Sequence, residues 1–366
     1  MKTPHRAVLL TPGPATTSDT VKFAQVVPDI CPRESEFGEV MQDITRRLSA
    51  IAGDPGSLRT VLFGGSGTAA VEAMLTSVPL DGPVVIVDNG AYGARMAQIA
   101  KSANLPAFVF SSSPVEAIDI DALERFAAKH KARYLAVVHH ETTTGLLNHL
   151  RPLGQLAGRL GMELLVDAMS SFAAVPIDMV ADGAHYVCSS SNKNLQGMAG
   201  ISFVICQAAA LAHIDAARSR SYYLNLRAQH DFFEKSGQMR FTPPVQTIYA
   251  LEQALTELEA ETVAGRYARY SSIWRILDEG IRQCGLTRLV ADENHGRLIS
   301  AIEEPASPKF SFERLHEFMK EWNFTIYPGK LAGQTTFRIS NIGDIYPEDM
   351  KTFVGLLTKF LAGSKA

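Results

Sequence analysis

Short apolar runs alternate with stretches of helical periodicity through about the first two thirds of this chain. The apolar runs predict buried strands over residues 61–64, 83–89, 107–110, 134–139, 163–168, 185–189 and 201–206. Between several of them, apolar residues recur every three or four positions, which predicts helices over residues 68–77, 91–103, 118–131 and 153–160. Continuous apolar strands separated by helices are typical of a mostly parallel α/β sheet that is covered on both faces.

The pattern changes after residue 245. Long helices are predicted there first, and short strands follow in alternation with helices. The helices are 247–259, 267–283, 312–322 and 347–361, and the strands are 297–303, 324–327 and 336–341. The pair Pro243–Pro244 marks the change, because proline interrupts regular structure. We therefore predict an N-terminal arm (1–20), a large domain (21–244) and a smaller C-terminal α+β domain (245–366).

Composition narrows the class of partner. The chain has 366 residues, 46% hydrophobic and 20% charged, which is ordinary for a globular protein with two domains. A net charge of -3 gives no reason to expect nucleic acid or an anionic membrane as a partner, and no apolar run approaches the length of a membrane-spanning helix. The four cysteines are scattered without a CxxC pair, so we expect reduced thiols and a cytoplasmic location.

One lysine, Lys193, lies in a run of small polar residues (189–197) that follows an apolar strand. Upstream, Asp167 ends another predicted strand. A lysine and an aspartate at the ends of neighbouring strands can hold pyridoxal phosphate (PLP) from two sides. The amine bonds the aldehyde, and the carboxylate keeps the ring nitrogen protonated. The alternative is a surface lysine that merely follows a strand.

A glycine-rich segment, residues 63–70, follows a strand and opens a helix. The unpaired N–H groups at a helix start favour an anion, and Ser66 and Thr68 add hydroxyl donors. This suits the phosphate of a cofactor, although a tight turn with a helix cap has the same pattern. A dinucleotide loop is a third interpretation, since Gly65-x-Gly67-x-x-Ala70 fits its relaxed fingerprint.

The dinucleotide interpretation draws support from Asp88, which ends the next strand at about the expected distance. It would make the protein a nicotinamide-dependent oxidoreductase. That interpretation leaves Lys193 and Asp167 without a role, and its loop would follow some sixty residues of chain rather than an opening strand.

Three further features have two readings each. Tyr92 lies between glycines after a strand, where it could stack on a flat ring or pack within a helix-capping turn. His140 and Glu141 are residue types that bind metals, but no further ligands lie at metal spacing, so we expect them to be structural. Arg338 is a lone cation in an apolar strand, which indicates either a substrate anion or an internal salt bridge.

Taken together and in this order, several segments resemble the class V aminotransferases of PLP fold type I. They are residues 9–17, 65–68, 89–93, 141–145, 166–172, 190–193, 240–242, 326–330 and 337–339. The resemblance implies a large domain with a mostly parallel seven-stranded sheet and a smaller C-terminal α+β domain. It also implies PLP as the cofactor and a homodimer with shared active sites.

The resemblance further implies a set of cofactor and substrate ligands. They are Lys193 for the covalent bond, Asp167 for the ring nitrogen, Tyr92 for the ring face, Thr142 for the phenolic O3′, Ser66, Gly67, Thr68 and Asn192 for the phosphate, Thr242 for the phosphate of the other subunit, and Arg338 for the substrate anion.

The implied activity is transfer of the amino group of 2-aminoethylphosphonate to pyruvate, which yields phosphonoacetaldehyde and L-alanine. The chain departs from the pattern in two places. Ala173 stands where glycine is expected, and residues 32–34 differ from a segment that lies near the substrate entrance in the family. Another class V pair, such as alanine with glyoxylate, is therefore the alternative.

Overall fold

The computed structural model describes residues 6–79, 81–307, 310–329, 331 and 333–365. Residues 1–5 of the predicted arm and Lys330 of the family-like segment 326–330 lie outside the described residues. The strands in chain order are β1 (Val8–Leu9), β2 (Leu58–Gly64), β3 (Val84–Asp88), β4 (Ala107–Ser111), β5 (Tyr134–Val138), β6 (His140–Glu141), β7 (Leu146–Leu147), β8 (Glu163–Asp167), β9 (Tyr186–Ser190), β10 (Ile201–Gln207), β11 (Ile299–Glu303), β12 (Phe324–Thr325), β13 (Tyr327–Pro328) and β14 (Thr336–Ser340).

Helices cover the strands and connect most of them. In chain order they are α1 (Asp19–Phe23), α2 (Ser35–Ala52), α3 (Gly67–Ser77), α4 (Ala91–Ser102), α5 (Ile120–Lys129), α6 (Leu150–Leu160), α7 (Ala208–Ala212), α8 (Leu226–Ser236), α9 (Val245–Glu261), α10 (Val263–Gln283), α11 (Phe312–Glu321) and α12 (Pro347–Lys365), with one 3-10 turn at Ala216–Arg218.

The main sheet contains the seven predicted strands in the order β2-β10-β9-β8-β5-β3-β4. Strand β10 runs antiparallel to its neighbours β2 and β9, and the other pairs are parallel. The prediction of a mostly parallel seven-stranded sheet is therefore confirmed. Because the parallel strands share one direction, the loops after β3, β5, β8 and β9 leave the sheet at the same edge.

Both faces of this sheet are buried, which explains why its strands are almost continuously apolar. Leu164 and Val166 of β8 pack into one core with α2, α6 and α9, whereas Leu165 packs into the opposite core with α3 and α4. Successive side chains of a strand point to opposite faces, so a doubly covered strand needs an apolar residue at every position.

A second, three-stranded sheet has the order β11-β14-β13 and packs with α10, α11 and α12. The single strand predicted over residues 324–327 is wrong, because the segment changes partner at Ile326. Strand β12 pairs in parallel with β1 of the N-terminal segment, and β13 pairs with β14. A buried residue, Ile326, separates the two short strands.

The predicted domain boundaries stay a prediction, but the packing shows where the chain changes core. Helix α9, which follows the boundary at 244, contributes Ile248, Leu251 and Leu255 to a core of the large sheet. Helix α10 contributes Ile273 and Leu277 to the core of the small sheet. The chain therefore passes from one core to the other between α9 and the middle of α10.

The short helices α1 and α7 and the longer helices α2 and α8 are absent from the sequence-based prediction. In α2 the buried residues Phe37, Met41, Ile44 and Leu48 recur at spacings of three or four, which is the period of a helix with one buried face. That spacing is the sequence signal that finds α2. In α8, Leu226 and Gln229 are the buried residues, so its apolar stripe is weaker.

Helix α10 also supports the loop that contains Lys193. Arg266 is almost fully buried, and its Nε lies 2.7 Å from Glu261 Oε2. Its Nη1 donates to the Asn194 carbonyl oxygen at 2.6 Å. A buried guanidinium needs both a carboxylate and carbonyl acceptors, and here one of those acceptors is the residue after Lys193.

Two findings bear on the expectations from composition. No helix in the described part of the chain is both long enough and apolar enough to cross a membrane. The cysteines are free thiols, of which Cys188 and Cys206 are buried in the strands β9 and β10.

Candidate active site

The loops at the carboxyl edge of the main sheet enclose a cavity of about 460 Å³. It is lined by Gly65, Ser66, Gly67, Thr68, Val71, Tyr92, Arg95, Asp167, Met169, Ser190, Asn192, Lys193, Ala199 and Gly200. Seven of the ten predicted site residues therefore line this cavity, and an eighth, Thr142, lines an adjoining space.

One wall of the cavity is the start of helix α3. Ser66 is the N-cap residue, and its side chain makes no capping hydrogen bond. Gly67 approaches Met169 so closely that a Cβ atom there would lie 2.3 Å from Met169 Sδ. The backbone N–H groups of the first turn, the hydroxyls of Ser66 and Thr68 and the positive end of the helix together suit a phosphate.

Lys193 and Asp167 line the same cavity from neighbouring strands. Lys193 Nζ donates to the carbonyl oxygen of Pro12 at 2.8 Å. Gly13, with φ of 135°, lets the backbone pass beside this amine, because a Cβ atom there would lie 2.1 Å from Nζ. The N-terminal segment thus closes over the lysine.

The Asp167 carboxyl is buried, and its Oδ1 accepts a hydrogen bond from the Met169 N–H at 2.9 Å. Burial, with a smaller contribution from the charge of Glu141, raises the pKa of Asp167 to about 6. The charges of Arg95 and Lys193 act in the opposite direction. Burial disfavours an unpartnered carboxylate, so a protonated ring nitrogen would be a favourable partner for this group.

A smaller space of about 20 Å³ adjoins the cavity and is lined by Tyr92, Val138, His140, Thr142, Asp167, Met169, Ser170 and Lys193. Thr142 Oγ1 is buried there, and within the described residues it has no hydrogen-bond partner. A buried hydroxyl without a partner is unfavourable. A ligand oxygen near Asp167 and Lys193 would satisfy it.

Asn192 lies on the wall next to Lys193. Ser190 Oγ donates to Asn192 Oδ1 at 2.9 Å, which orients the amide. The Asn192 backbone carbonyl accepts from the Ala15 N–H at 3.0 Å. Asn192 thus also ties the lysine loop to the N-terminal segment.

Arg95 and Met169 are among the lining residues that the sequence did not predict as site residues. Arg95 lies one helical turn after Tyr92, with its guanidinium carbon 4.8 Å from the centroid of the Tyr92 ring. The signal was a cation at i+3 from the tyrosine on the predicted helix. Met169, the second residue after Asp167, forms the surface against which Gly67 packs.

Arg338 and Thr242 do not line the cavity of their own chain. Arg338 is buried on β14, where Nε donates to the Pro328 carbonyl and Nη1 to the Thr142 carbonyl, each at 3.0 Å. Among the described residues no carboxylate forms an ion pair with it, so the alternative of an internal salt bridge finds no support. Thr242 is exposed in the loop before α9.

His140 and Glu141 have structural partners. His140 Nδ1 lies 2.9 Å from Ser170 Oγ, and burial lowers the pKa of His140 to about 4, which keeps the ring neutral. Glu141 accepts hydrogen bonds from backbone N–H groups. In the part of the chain that the structure describes, no group of three or more His, Cys, Asp or Glu side chains could hold a metal ion.

The residues present fit pyridoxal phosphate. The lysine amine, the buried acid, the helix start and the unpaired Thr142 hydroxyl match its aldehyde, ring nitrogen, phosphate and phenolic oxygen in kind. Tyr92 adds an aromatic face to the same walls.

Comparison with known proteins agrees with this fit to pyridoxal phosphate. The model of the family described as aminotransferase class V matches residues 24–320. The chain is 41% identical to the 2-aminoethylphosphonate–pyruvate transaminase of Salmonella schwarzengrund (strain CVM19633) over 354 residues, 95% of this chain and 96% of that protein. It is 38% identical to the enzyme of the same name from Vibrio vulnificus (strain CMCP6) over 357 residues, 96% of this chain and 97% of that protein.

Solved structures share the fold. Ureidoglycine–glyoxylate aminotransferase from Bacillus subtilis superposes with a TM-score of 0.88 at 20% identity, covering 100% of this chain and 95% of that one. Alanine–glyoxylate aminotransferase from Nostoc sp. gives a TM-score of 0.88 at 24% identity, covering 100% and 97%. The fold-type expectation is confirmed, and the dinucleotide-loop alternative is overturned, since residues 65–70 belong to an aminotransferase fold.

The raised pKa of Asp167 predicts a pH-dependent stability in protein stripped of cofactor. The folded protein holds this proton more tightly than the unfolded chain, so the free energy of unfolding falls as pH rises from about 4 to about 6. The Asp167→Asn variant has no carboxyl to ionise, so it does not lose this stability as the pH rises. We expect it to stabilise the ligand-free protein by up to about 3 kcal/mol above pH 6 and by almost nothing at pH 4.

Urea unfolding of both proteins across this pH range measures the difference, with the exposed Asp121→Asn as the control. A stability difference that does not change between pH 4 and pH 7 would contradict the assignment of a raised pKa to Asp167.

Proposed function

The chain belongs to the class V aminotransferase family, and on that premise we propose that it transfers the amino group of 2-aminoethylphosphonate to pyruvate. The products are phosphonoacetaldehyde and L-alanine. The observation that carries the chemistry is that Lys193 and Asp167 line one cavity with the start of helix α3. The choice of substrates rests on relatives that bear this name and match over nearly the whole chain.

Pyridoxal 5′-phosphate is the cofactor of this family. When bound, its protonated ring accepts the electron pair that is released as a C–H bond of the amino donor breaks. Lys193 would carry the cofactor, and Asp167 would hold the proton on the ring nitrogen. Tyr92 would cover the ring, and the Thr142 hydroxyl would bond the phenolic oxygen.

The phosphate would lie at the start of α3. Ser66, Gly67 and Thr68 supply N–H groups and hydroxyls there, and Asn192 supplies its amide. The 2− charge of a phosphate gains from the positive end of the helix dipole. Arg95, which lines the same cavity, adds a full positive charge.

Lys193 is the proposed proton carrier. Its Nζ would remove a proton from the donor carbon that bears the nitrogen and later return one, as a general base and then a general acid. Pro12 O accepts a hydrogen bond from Nζ at 2.8 Å, and this contact with the N-terminal segment would orient the amine. Pyruvate would receive the nitrogen by the reverse sequence at the same site.

Arg338 is the proposed ligand for the substrate anion. Two backbone carbonyls hold its guanidinium through Nε and Nη1, so the group is oriented before a substrate arrives. Burial lowers the pKa of Arg338, a sign that a bound anion would stabilise its charge. A planar guanidinium can pair with either phosphonate or carboxylate, so one residue can serve both substrates.

A homodimer with shared sites completes the proposal. Tyr222 is 80% exposed, and Tyr223 stacks on Phe241 with ring centroids 4.8 Å apart. The Arg240 guanidinium lies over Phe241 as well. This aromatic patch adjoins both Thr242 and the phosphate loop, since the Tyr223 hydroxyl lies 3.5 Å from the Gly64 carbonyl. A second copy seated here would bring Thr242 near the partner's phosphate.

The cytoplasmic location stays a prediction.

Lys193→Ala tests the chemistry. We expect alanine formation from pyruvate and 2-aminoethylphosphonate to fall by at least about 10⁴-fold, because one residue supplies both attachment and proton transfer. Lys101→Ala on α4 is the control and should be unaffected. In wild-type protein, borohydride reduction should fix the cofactor to residue 193.

A panel of amino donors with pyruvate or glyoxylate as acceptor tests the substrate. Alanine–glyoxylate turnover faster than that with 2-aminoethylphosphonate would favour another class V activity and contradict the proposed substrate pair.

Arg338→Gln should raise KM for both 2-aminoethylphosphonate and pyruvate about a hundredfold, since a buried charged pair with the substrate is lost. Cofactor affinity should stay within twofold of wild type. Arg338→Lys keeps the charge but not the planar guanidinium, so its KM values should lie between those of wild type and those of Arg338→Gln. Steady-state kinetics measure this, and an unchanged KM for both substrates in Arg338→Gln would remove Arg338 from the substrate site.

Thr242→Glu tests the shared site. Thr242 does not line the cavity of its own chain. In a dimer with shared sites, the new carboxylate would repel the partner's phosphate, and we expect cofactor affinity to fall at least about tenfold, or about 1.4 kcal/mol. Thr352→Glu on α12 is the matched control.

Mixing Thr242→Glu with Lys193→Ala should restore part of the activity, because each hybrid dimer holds one intact site. Full cofactor affinity in Thr242→Glu, or a monomer in sedimentation, would contradict the shared site.

A further inference from the structure

The carboxylate of Glu141 is completely buried and has donors on both oxygens. Oε2 accepts from the N–H groups of Tyr92 at 3.1 Å and Gly93 at 3.4 Å. Oε1 accepts from the N–H of Thr143 at 3.1 Å and from its hydroxyl at 2.6 Å. One oxygen therefore binds the start of helix α4, and the other binds the loop to which Glu141 belongs.

Helix α4 has no cap of its own. Its N-cap residue is Gly90, which has no side chain to accept from the first turn. The Ala91 N–H donates to Thr143 Oγ1 at 2.9 Å. The first three N–H groups of the helix, from Ala91 to Gly93, thus all bond the Glu141–Thr143 segment. A loop 48 to 52 positions away in sequence supplies the cap.

Glycine at position 90 makes room for this carboxylate. A Cβ atom on Gly90 would lie 2.2 Å from Glu141 Cγ and 2.3 Å from Cδ. Any other residue there would displace the glutamate. Gly90 therefore supplies no side-chain cap to helix α4, and its lack of a side chain leaves the space that the Glu141 side chain occupies.

The charge of Glu141 is held by dipoles. Among the described residues, no lysine, arginine or histidine lies within ion-pair distance of it. Burial raises the pKa of Glu141, and the hydrogen bonds from Thr143, Tyr92 and Gly93 act in the opposite direction and favour the carboxylate. Its field reaches the site, because its charge contributes to the raised pKa of Asp167 and offsets part of the lowering of the Arg338 pKa by burial.

We propose that Glu141 is a positioning residue of the aminotransferase site, which holds the start of α4, and with it Tyr92, against the loop that carries Thr142. Tyr92 and Thr142 line the space beside Lys193 and Asp167, and Glu141 is the bonded link between them. The inference rests on the proposed function for what Tyr92 and Thr142 contact.

Glu141→Gln is the first test, with the exposed Glu116→Gln as the matched control. Glutamine keeps the shape, but its amide nitrogen faces N–H or O–H donors where an oxygen accepted before. In cofactor-free protein we expect amide exchange over residues 90–95 to be at least about tenfold faster than in wild type, with exchange in α6 unchanged. The dissociation constant for the cofactor, titrated by absorbance, should rise about tenfold, or about 1.4 kcal/mol. The circular dichroism of the bound cofactor should decrease, since the ring face is less ordered.

Two variants of Thr143 test the same positioning role if Glu141→Gln does not fold. Thr143→Ser keeps the hydroxyl that joins Ala91 to Glu141 and should behave as wild type. Thr143→Val has nearly the same shape without the hydroxyl and should speed exchange over residues 90–95.

Wild-type exchange and cofactor affinity in Glu141→Gln, or equal exchange in the two Thr143 variants, would overturn the proposal. These measurements do not involve an amino donor. A wild-type enzyme inactive with 2-aminoethylphosphonate would therefore defeat the proposed substrate and leave the role of Glu141 standing.

Discussion

A buried carboxylate beside a lysine at one edge of a parallel sheet is the constraint on which the rest of this structure depends. Strands β8 and β9 are parallel neighbours, and Asp167 pairs with Cys188, two residues before β9 ends. Both chain segments therefore leave the sheet at the same edge, which brings Asp167 and Lys193 to one cavity. The carboxyl is removed from water, and that burial raises its pKa.

The cavity holds groups whose interactions are incomplete within the chain. Burial raises the pKa of Asp167, and the Thr142 hydroxyl has no partner among the described residues. The start of α3 presents N–H groups, and Arg95 adds a positive charge to the same walls. A ligand with a phosphate at one end and a protonated ring nitrogen and an oxygen at the other would satisfy these groups together. Such complementarity stabilises the complex more than any single contact does.

Backbone carbonyls and N–H groups connect the site to distant parts of the chain. Pro12 accepts from Lys193, Asn194 accepts from Arg266, and Thr142 accepts from Arg338. The N-terminal segment, helix α10 and the small sheet each thereby fix one piece of the cavity's surroundings. These bonds depend on backbone atoms, which every residue type carries, so they leave no mark in the pattern of side chains.

The sequence by itself determined the seven strands and most of the helices, and it singled out two residues, Asp167 and Lys193, that line one cavity in the structure. Doubly covered strands must be apolar throughout, and polar residues at their ends are then conspicuous, so Asp167 and Lys193 stood out. Only the tertiary structure decided that Arg95 lines the cavity, that residues 324–327 divide between two sheets, and that Glu141 caps a helix. Periodicity records whether a residue is buried. It does not record which distant residue it meets, because that depends on how the helices and sheets pack against one another.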